Sequence, residues 1–164
     1  MHPEFEKKLQ EAAPMFLKDL GGDEMQTCMA LGICCGDGWY NALKELFFLI
    51  EMLNKRLVES GVLICDQVKT KYGDLCVYWH YEEQGNPVKP PEYVKDHMEK
   101  LLEVFEDVCD CTCEMCGQMY NPETRKRTFS TLCPDCEELR AKYGVWDKPI
   151  PEEENKKQNP EKQA

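Results

Sequence analysis

Apolar positions near the start of the chain recur at the three- and four-residue steps of a helix face. Phe5, Leu9, Ala12 or Ala13, and Phe16 predict a short opening helix that Pro14 kinks or ends. "DLGGDE" breaks the pattern, because paired glycines end helices and turn chains. "MQTCMALGICCGDG" carries little charge and many small residues, which suits a buried, irregular or briefly extended segment. The strongest stripe follows. Trp39, Leu43, Leu46, Ile50, Leu53 and Leu57 share one face, and Phe47, Phe48 and Leu49 widen it. Asp37 and Gly38 stand where a cap belongs, and Gly61 supplies the stop. In "VLICDQVKTKYGDLCVYWHYEE" the period changes to two, predicting a β-hairpin that turns at Tyr72, Gly73 and Asp74. Leu75, Val77, Trp79 and Tyr81 fall on one face, and Cys76, Tyr78 and His80 on the other. "QGNPVKPP" is read as a loop, after which Val94, Met98, Leu101, Phe105 and Val108 form a second amphipathic helix. The pattern predicts an α+β fold with two main amphipathic helices and a β-hairpin.

A chain of 164 residues with 42% hydrophobic residues can bury a real core. The formal charge of −11 argues against general binding of nucleic-acid backbones and suits a basic partner or imitation of a polyanion. The final stretch, 147–164, has almost nothing to bury and reads as a disordered tail. With no apolar leader and no apolar run of bilayer length, a cytoplasmic location is expected and no membrane association.

Eleven cysteines in a reducing compartment point to metal before disulfides. Cys113-x-x-Cys116 and Cys133-x-x-Cys136 are separated by sixteen residues, so each pair can place two thiolates on one tetrahedral ion. Four soft sulfurs select zinc, with iron the main rival. "CEMCG" reads as a knuckle, "QMYNPETRKRTF" as a short hairpin, and "CPDCEELRAKYG" as a helix with the second pair in its first turn. That order is treble-clef-like. It divides the chain into a core domain (1–110), a zinc-binding module (111–146) and the tail. Four protein ligands leave no open position, so the zinc is expected to be structural. Cys109 continues the stripe of the second helix as a small buried hydrophobe, while Cys111 is either packing or a spare ligand. The basic run Arg125 to Arg127 is read as compensating the two net negative charges of a four-thiolate zinc site, with a phosphate-binding loop as the alternative.

"CMALGICCGDGWYNAL", "QVKTKYGDL" and a CxxC module ending in "TLCPDC" resemble a family of small phage- and prophage-encoded proteins to which no activity is attached. The resemblance covers roughly residues 25 to 140. Members of that family often close the metal motif with histidine where this chain has Cys136. The resemblance implies a viral context, and with it the cytoplasm of a host.

Two further candidate sites stand beside the metal. Gly36, Asp37 and Gly38 precede a helix whose amides could cradle an anion, with Trp39 and Tyr40 to stack a base and Lys69, Lys71 and Tyr72 to add charge and a ring. The plainer reading makes Asp37 a cap, the glycines a turn, and Trp39 the start of the core. Glu92, Asp96, Glu99, Glu103, Glu106 and Asp110 form an acidic ribbon on the second helix, either a solvated face or a docking surface for a basic partner. His2, His80 and His97 lie far apart and match no hydrolase spacing, so no catalytic residue is assigned. The expected function is that of a non-enzymatic, zinc-stabilised accessory protein that binds and inhibits a host defence protein. The alternatives are an oligomeric binder that sequesters a nucleotide-like signal and an enzyme using Cys35 or Asp37. The wide apolar face of the main helix makes a homodimer reasonable.

Overall fold

A computed structural model describes residues 1–57, 59–124 and 130–143. Pro3, whose fixed φ suits a first helical turn, opens α1 (Pro3–Ala12), and the ring of His2 accepts from the Glu4 amide. The helix ends at Ala13, one residue before Pro14. After a 3-10 turn at Cys28–Leu31, a second such turn, Asp37–Trp39, leads into α2 (Tyr40–Leu57). Leu43, Leu46, Phe47, Ile50 and Leu57 bury one face of α2, and the Phe16 and Phe47 rings lie 5.5 Å apart. Gly61 closes the helix with its amide 2.8 Å from the Leu57 carbonyl. Its φ of +147° and a built Cβ at 2.4 Å from the Tyr81 ring leave room for no side chain.

Strands β1 (Val62–Lys71) and β2 (Asp74–Glu83) pair antiparallel, with Lys71 opposite Asp74. Tyr72 and Gly73 both have positive φ, as a two-residue hairpin turn requires. The register shifts between Cys65 and Gln67, so Asp66 bulges from the ladder. The segment read as a loop contains a third strand, β3 (Asn86–Val88), paired to β2. Gln84 and Gly85, both at positive φ, reverse the chain there, and Pro87 is tolerated because β3 lies at the sheet edge. Helix α3 (Glu92–Asp110) packs on β2 and on α2, while α2 also meets α1 and β1. Asn54, fully buried, accepts from the Leu63 amide at 2.7 Å and donates to its carbonyl at 2.9 Å, which ties α2 to the second residue of β1.

The fold is mixed helix and sheet: among the described residues it has four helices and a three-stranded antiparallel sheet. One cluster of buried side chains joins Leu9, Phe16, Trp39, Val68, Tyr81 and Met98. Helix α4 (Pro134–Tyr143) follows α3 and the cysteine-rich segment. The basic run Arg125 to Arg127 and the tail at 147–164 lie outside the described residues.

Candidate metal centre

The fold brings the four expected cysteines together. The Sγ atoms of Cys113, Cys116, Cys133 and Cys136 all lie within 4.8 Å of one another, and those of Cys116 and Cys133 are 3.8 Å apart. Sulfurs about 2.3 Å from a tetrahedral ion stand about 3.8 Å from each other, so the donor set fits a metal of that geometry. Local backbone structure supplies the placement. Gly117, at φ +77°, donates to the Cys113 carbonyl at 2.8 Å, and the Cys113 amide reaches the Gln118 carbonyl at 2.9 Å. Cys133 precedes α4, and its carbonyl accepts from the Glu137 amide at 2.9 Å, which sets Cys136 in the first helical turn. Cys113, Cys133 and Cys136 are buried. Without a cation these sulfurs cannot all ionise: hydrogen bonds from Cys116 and Cys136 hold the Cys113 thiol far below its ordinary range, and nearness to Cys113 pushes both neighbours up. Cys109 is fully buried in the core, and burial pushes its thiol up to about 12.

The knuckle is seated on the rest of the protein through the glycine motif. The Gly38 amide donates to the Glu114 carbonyl at 2.8 Å, and the Gly36 amide to Glu114 Oε1 at 2.9 Å. The Trp39 indole N–H reaches the Thr112 carbonyl at 2.8 Å, and the Thr70 hydroxyl donates to Glu114 Oε1. On the other side, the Glu114 amide donates to the Thr131 carbonyl at 2.7 Å, and the Thr131 hydroxyl to the Gly73 carbonyl. Glycine is required by contact. A Cβ on Gly36 would stand 2.2 Å from the Glu114 carbonyl oxygen, and one on Gly38 would stand 2.2 Å from that of Cys113. The glycine motif and the segment around Glu114 therefore share a buried, hydrogen-bonded boundary.

The other residues singled out in the sequence take these places. The amides of Gly36 and Gly38 are engaged by Glu114, and Asp37 accepts from the His2 amide at 2.6 Å. Trp39 is fully buried, and Tyr40 stacks on Phe5 with centroids 4.5 Å apart. Lys69 lies over the Tyr78 ring and Lys71 over the Tyr72 ring at the hairpin tip. Cys35 is buried, and its thiol is pushed well above the ordinary range by desolvation, then by Glu114. On α3, Glu92, Asp96, Glu99, Glu103 and Glu106 are exposed and Asp110 is half-buried. Of the wide α2 stripe, Phe48 and Leu49 remain exposed, as does neighbouring Met52. Compared with protein-family models, curated proteins and solved structures, the chain matches none. No helix among the described residues is long and apolar enough to cross a membrane.

Sequence reasoning missed one charged chain across the sheet. His80 Nδ1 lies 2.7 Å from Asp66 on the bulge, His80 Nε2 lies 3.0 Å from Glu82, and Glu82 also meets Lys18 at 2.7 Å. Burial pulls the His80 ring down, but hydrogen bonds to Glu82 and Asp66 outweigh it and leave the value raised. The hydrogen bond from Lys18 holds the Glu82 carboxyl low. A raised histidine contributes stability below its unfolded value, about 6.5, and loses it as pH rises through the folded value. Glu82 contributes above its unfolded value and loses it as pH falls through the folded one. Comparing the melting of wild type and His80→Gln should show wild type ahead near pH 6, by no more than about 1 kcal/mol given solvent screening. The gap should close by pH 9. A constant gap across that range would show that the ring packs without carrying charge.

Proposed function

We propose that this is a zinc-stabilised, non-enzymatic protein that acts by binding the basic surface of a partner macromolecule, as a phage-type accessory protein that blocks a host defence factor would. Zinc is the metal chosen because four thiolates with no open position suit a structural ion. The knuckle at 113–118 and the second pair at the start of α4 support a treble-clef-like module. The observation that carries the reading is the acidic face of α3. Its buried residues, Val94, Met98 and Cys109, lie on one stripe, and Glu92, Asp96, Glu99, Glu103 and Glu106 project from the opposite side. Lys95 relieves it through Glu99 at 3.5 Å, an exposed pair of small worth. Negative charge concentrates toward the helix end, where Asp74, Glu106, Asp107 and Glu123 line a cavity of about 980 Å³. Burial, then Asp74, Asp107 and Glu103, push the Glu106 carboxyl up. A cationic surface docking there would relieve that repulsion and associate in a salt-sensitive way.

The test is affinity capture from host lysate with wild type and with a variant carrying Glu92→Gln, Asp96→Asn, Glu99→Gln and Glu103→Gln. These positions are exposed, so folding should persist. A stoichiometric protein partner is expected on wild type, at least tenfold depleted on the variant and in high salt. Capture of no stoichiometric partner, or capture indifferent to the four changes, contradicts the reading.

A further inference from the structure

We propose that a second copy of the chain covers the seam between α2 and α3, with α2 of each copy lying across α3 of the other. The two helices stand side by side and antiparallel. They pack together, and Trp39 at the foot of α2 reaches the Thr112 carbonyl just past the end of α3. One flank of α2 is committed elsewhere, since Glu51 accepts from the Met15 and Phe16 amides and Asn54 bonds Leu63 on β1. With 3.6 residues per turn, Leu49 and Leu53 fall on the opposite flank, toward α3. On α3, Glu106 shares a cavity with Asp74 of β2, which turns Val104 and Val108 toward α2. Leu53 and Leu101 are half-buried in the seam, while Phe48, Leu49, Met52, Tyr93, Val104 and Val108 stand exposed around it. A contiguous apolar face on two packed helices marks an interaction surface.

Charge identifies the occupant. The exposed face of α2 carries Lys44, Lys55 and Arg56 against Glu45, and beside the seam α3 carries Asp96, Glu103 and Asp107 against Lys100. Among the described residues, none of those three cations and none of those three carboxylates has an ion-pair partner. Trp39 stands level with Thr112, and each helix climbs about 1.5 Å per residue. Lys44 is therefore level with Asp107, Phe48 with Val104, and Lys55 with Asp96. A two-fold axis along the helices keeps those levels and lays α2 of one copy on α3 of the other. Lys44 then meets Asp107 and Lys55 meets Asp96, at the two ends of an apolar centre. An axis across the helices would instead stack α2 on α2 and α3 on α3, setting like charges together. Charge selects the first arrangement. The 18 residues of α2 and 19 of α3 make each helix about 27 Å long. Two such faces, with axes about 8–10 Å apart, bury about 1,000 Å² in total, which reaches the size of a specific interface.

The test is sedimentation velocity of the full, zinc-loaded chain over a concentration series. A dimer is expected. Phe48→Glu and Val104→Glu, one on each helix, should each weaken it at least tenfold, with metal content and far-ultraviolet circular dichroism unchanged. Both side chains are exposed, so neither change disturbs the core. Lys44→Glu with Lys55→Glu should also weaken association at least tenfold, as should Asp96→Lys with Asp107→Lys. A chain carrying all four charge changes should regain wild-type association, because α2 and α3 have then exchanged signs. A monomer at every concentration, a dimer indifferent to Phe48→Glu and Val104→Glu, or a four-change chain no stronger than either pair would overturn the proposal. Association of the purified chain needs no host protein, and Phe48 and Val104 lie outside the acidic set used for capture, so either proposal can fail alone.

Discussion

Cys136→Ala should abolish metal binding and lower the melting temperature of the whole chain by at least about 10 °C. The reason is the scarcity, among the described residues, of apolar material around the sulfurs. The buried cluster there consists of Cys113, Leu132, Cys133 and Cys136, with Met115, Cys116 and Tyr120 packed beside it. Such a set cannot offset the ordering of its own backbone, whereas a structural zinc supplies about 10–16 kcal/mol of apparent stabilisation. The loss should reach the core, because the knuckle holds the Gly36 amide, the Gly38 amide and the Trp39 indole. Each loses its acceptor when the knuckle leaves and must exchange that hydrogen bond for one to water. Scanning calorimetry with metal analysis checks this. A variant that loses its metal but keeps the wild-type melting temperature would show that the two parts are energetically independent.

Gly38→Ala should destabilise the protein by at least about 3 kcal/mol, through overpacking that no side-chain rotation can relieve. The added Cβ would lie 2.2 Å from the Cys113 carbonyl oxygen, 2.5 Å from the Gly117 nitrogen and 2.7 Å from the Glu114 carbonyl carbon. All three are backbone atoms of the knuckle, so the knuckle itself must move, and with it two ligands. Metal affinity should therefore fall although no sulfur is altered. Gly85→Ala is the control: φ is positive there, at +77°, as it is not at Gly38, but nothing lies within 4 Å of the added carbon. It should cost about 1 kcal/mol. Equal effects at the two glycines in chemical denaturation would contradict the close approach at Gly38.

The clustering of the four cysteines was legible in the sequence because coordination chemistry restricts which residues appear and how they are spaced when a site could hold a metal. The helices were legible because α2 and α3 each carry a long apolar stripe, and the hairpin because its period and its Tyr72–Gly73 turn agree. Strand β3 was not. Its three residues include a proline, and it exists because Gln84 and Gly85 turn the chain back along β2. The glycine motif shows the sharper limit. A helix start with free amides looks the same in sequence whether it faces a ligand or another segment of the chain. What decides it is Glu114, which lies 78 residues beyond Gly36 and between Cys113 and Cys116, whose spacing leaves that position unrestricted. Likewise, nothing in the order of residues announces that Asp66 would bulge toward His80.

A metal ion on the four sulfurs would hold the knuckle against the glycine motif and so join the C-terminal segment to the core. Amide hydrogen exchange at Gly36 and Gly38 tests it most directly, measured on the metal-loaded chain and again after chelation. Strong protection that disappears when the metal is removed is the expected result. Protection that survives chelation unchanged would contradict the account.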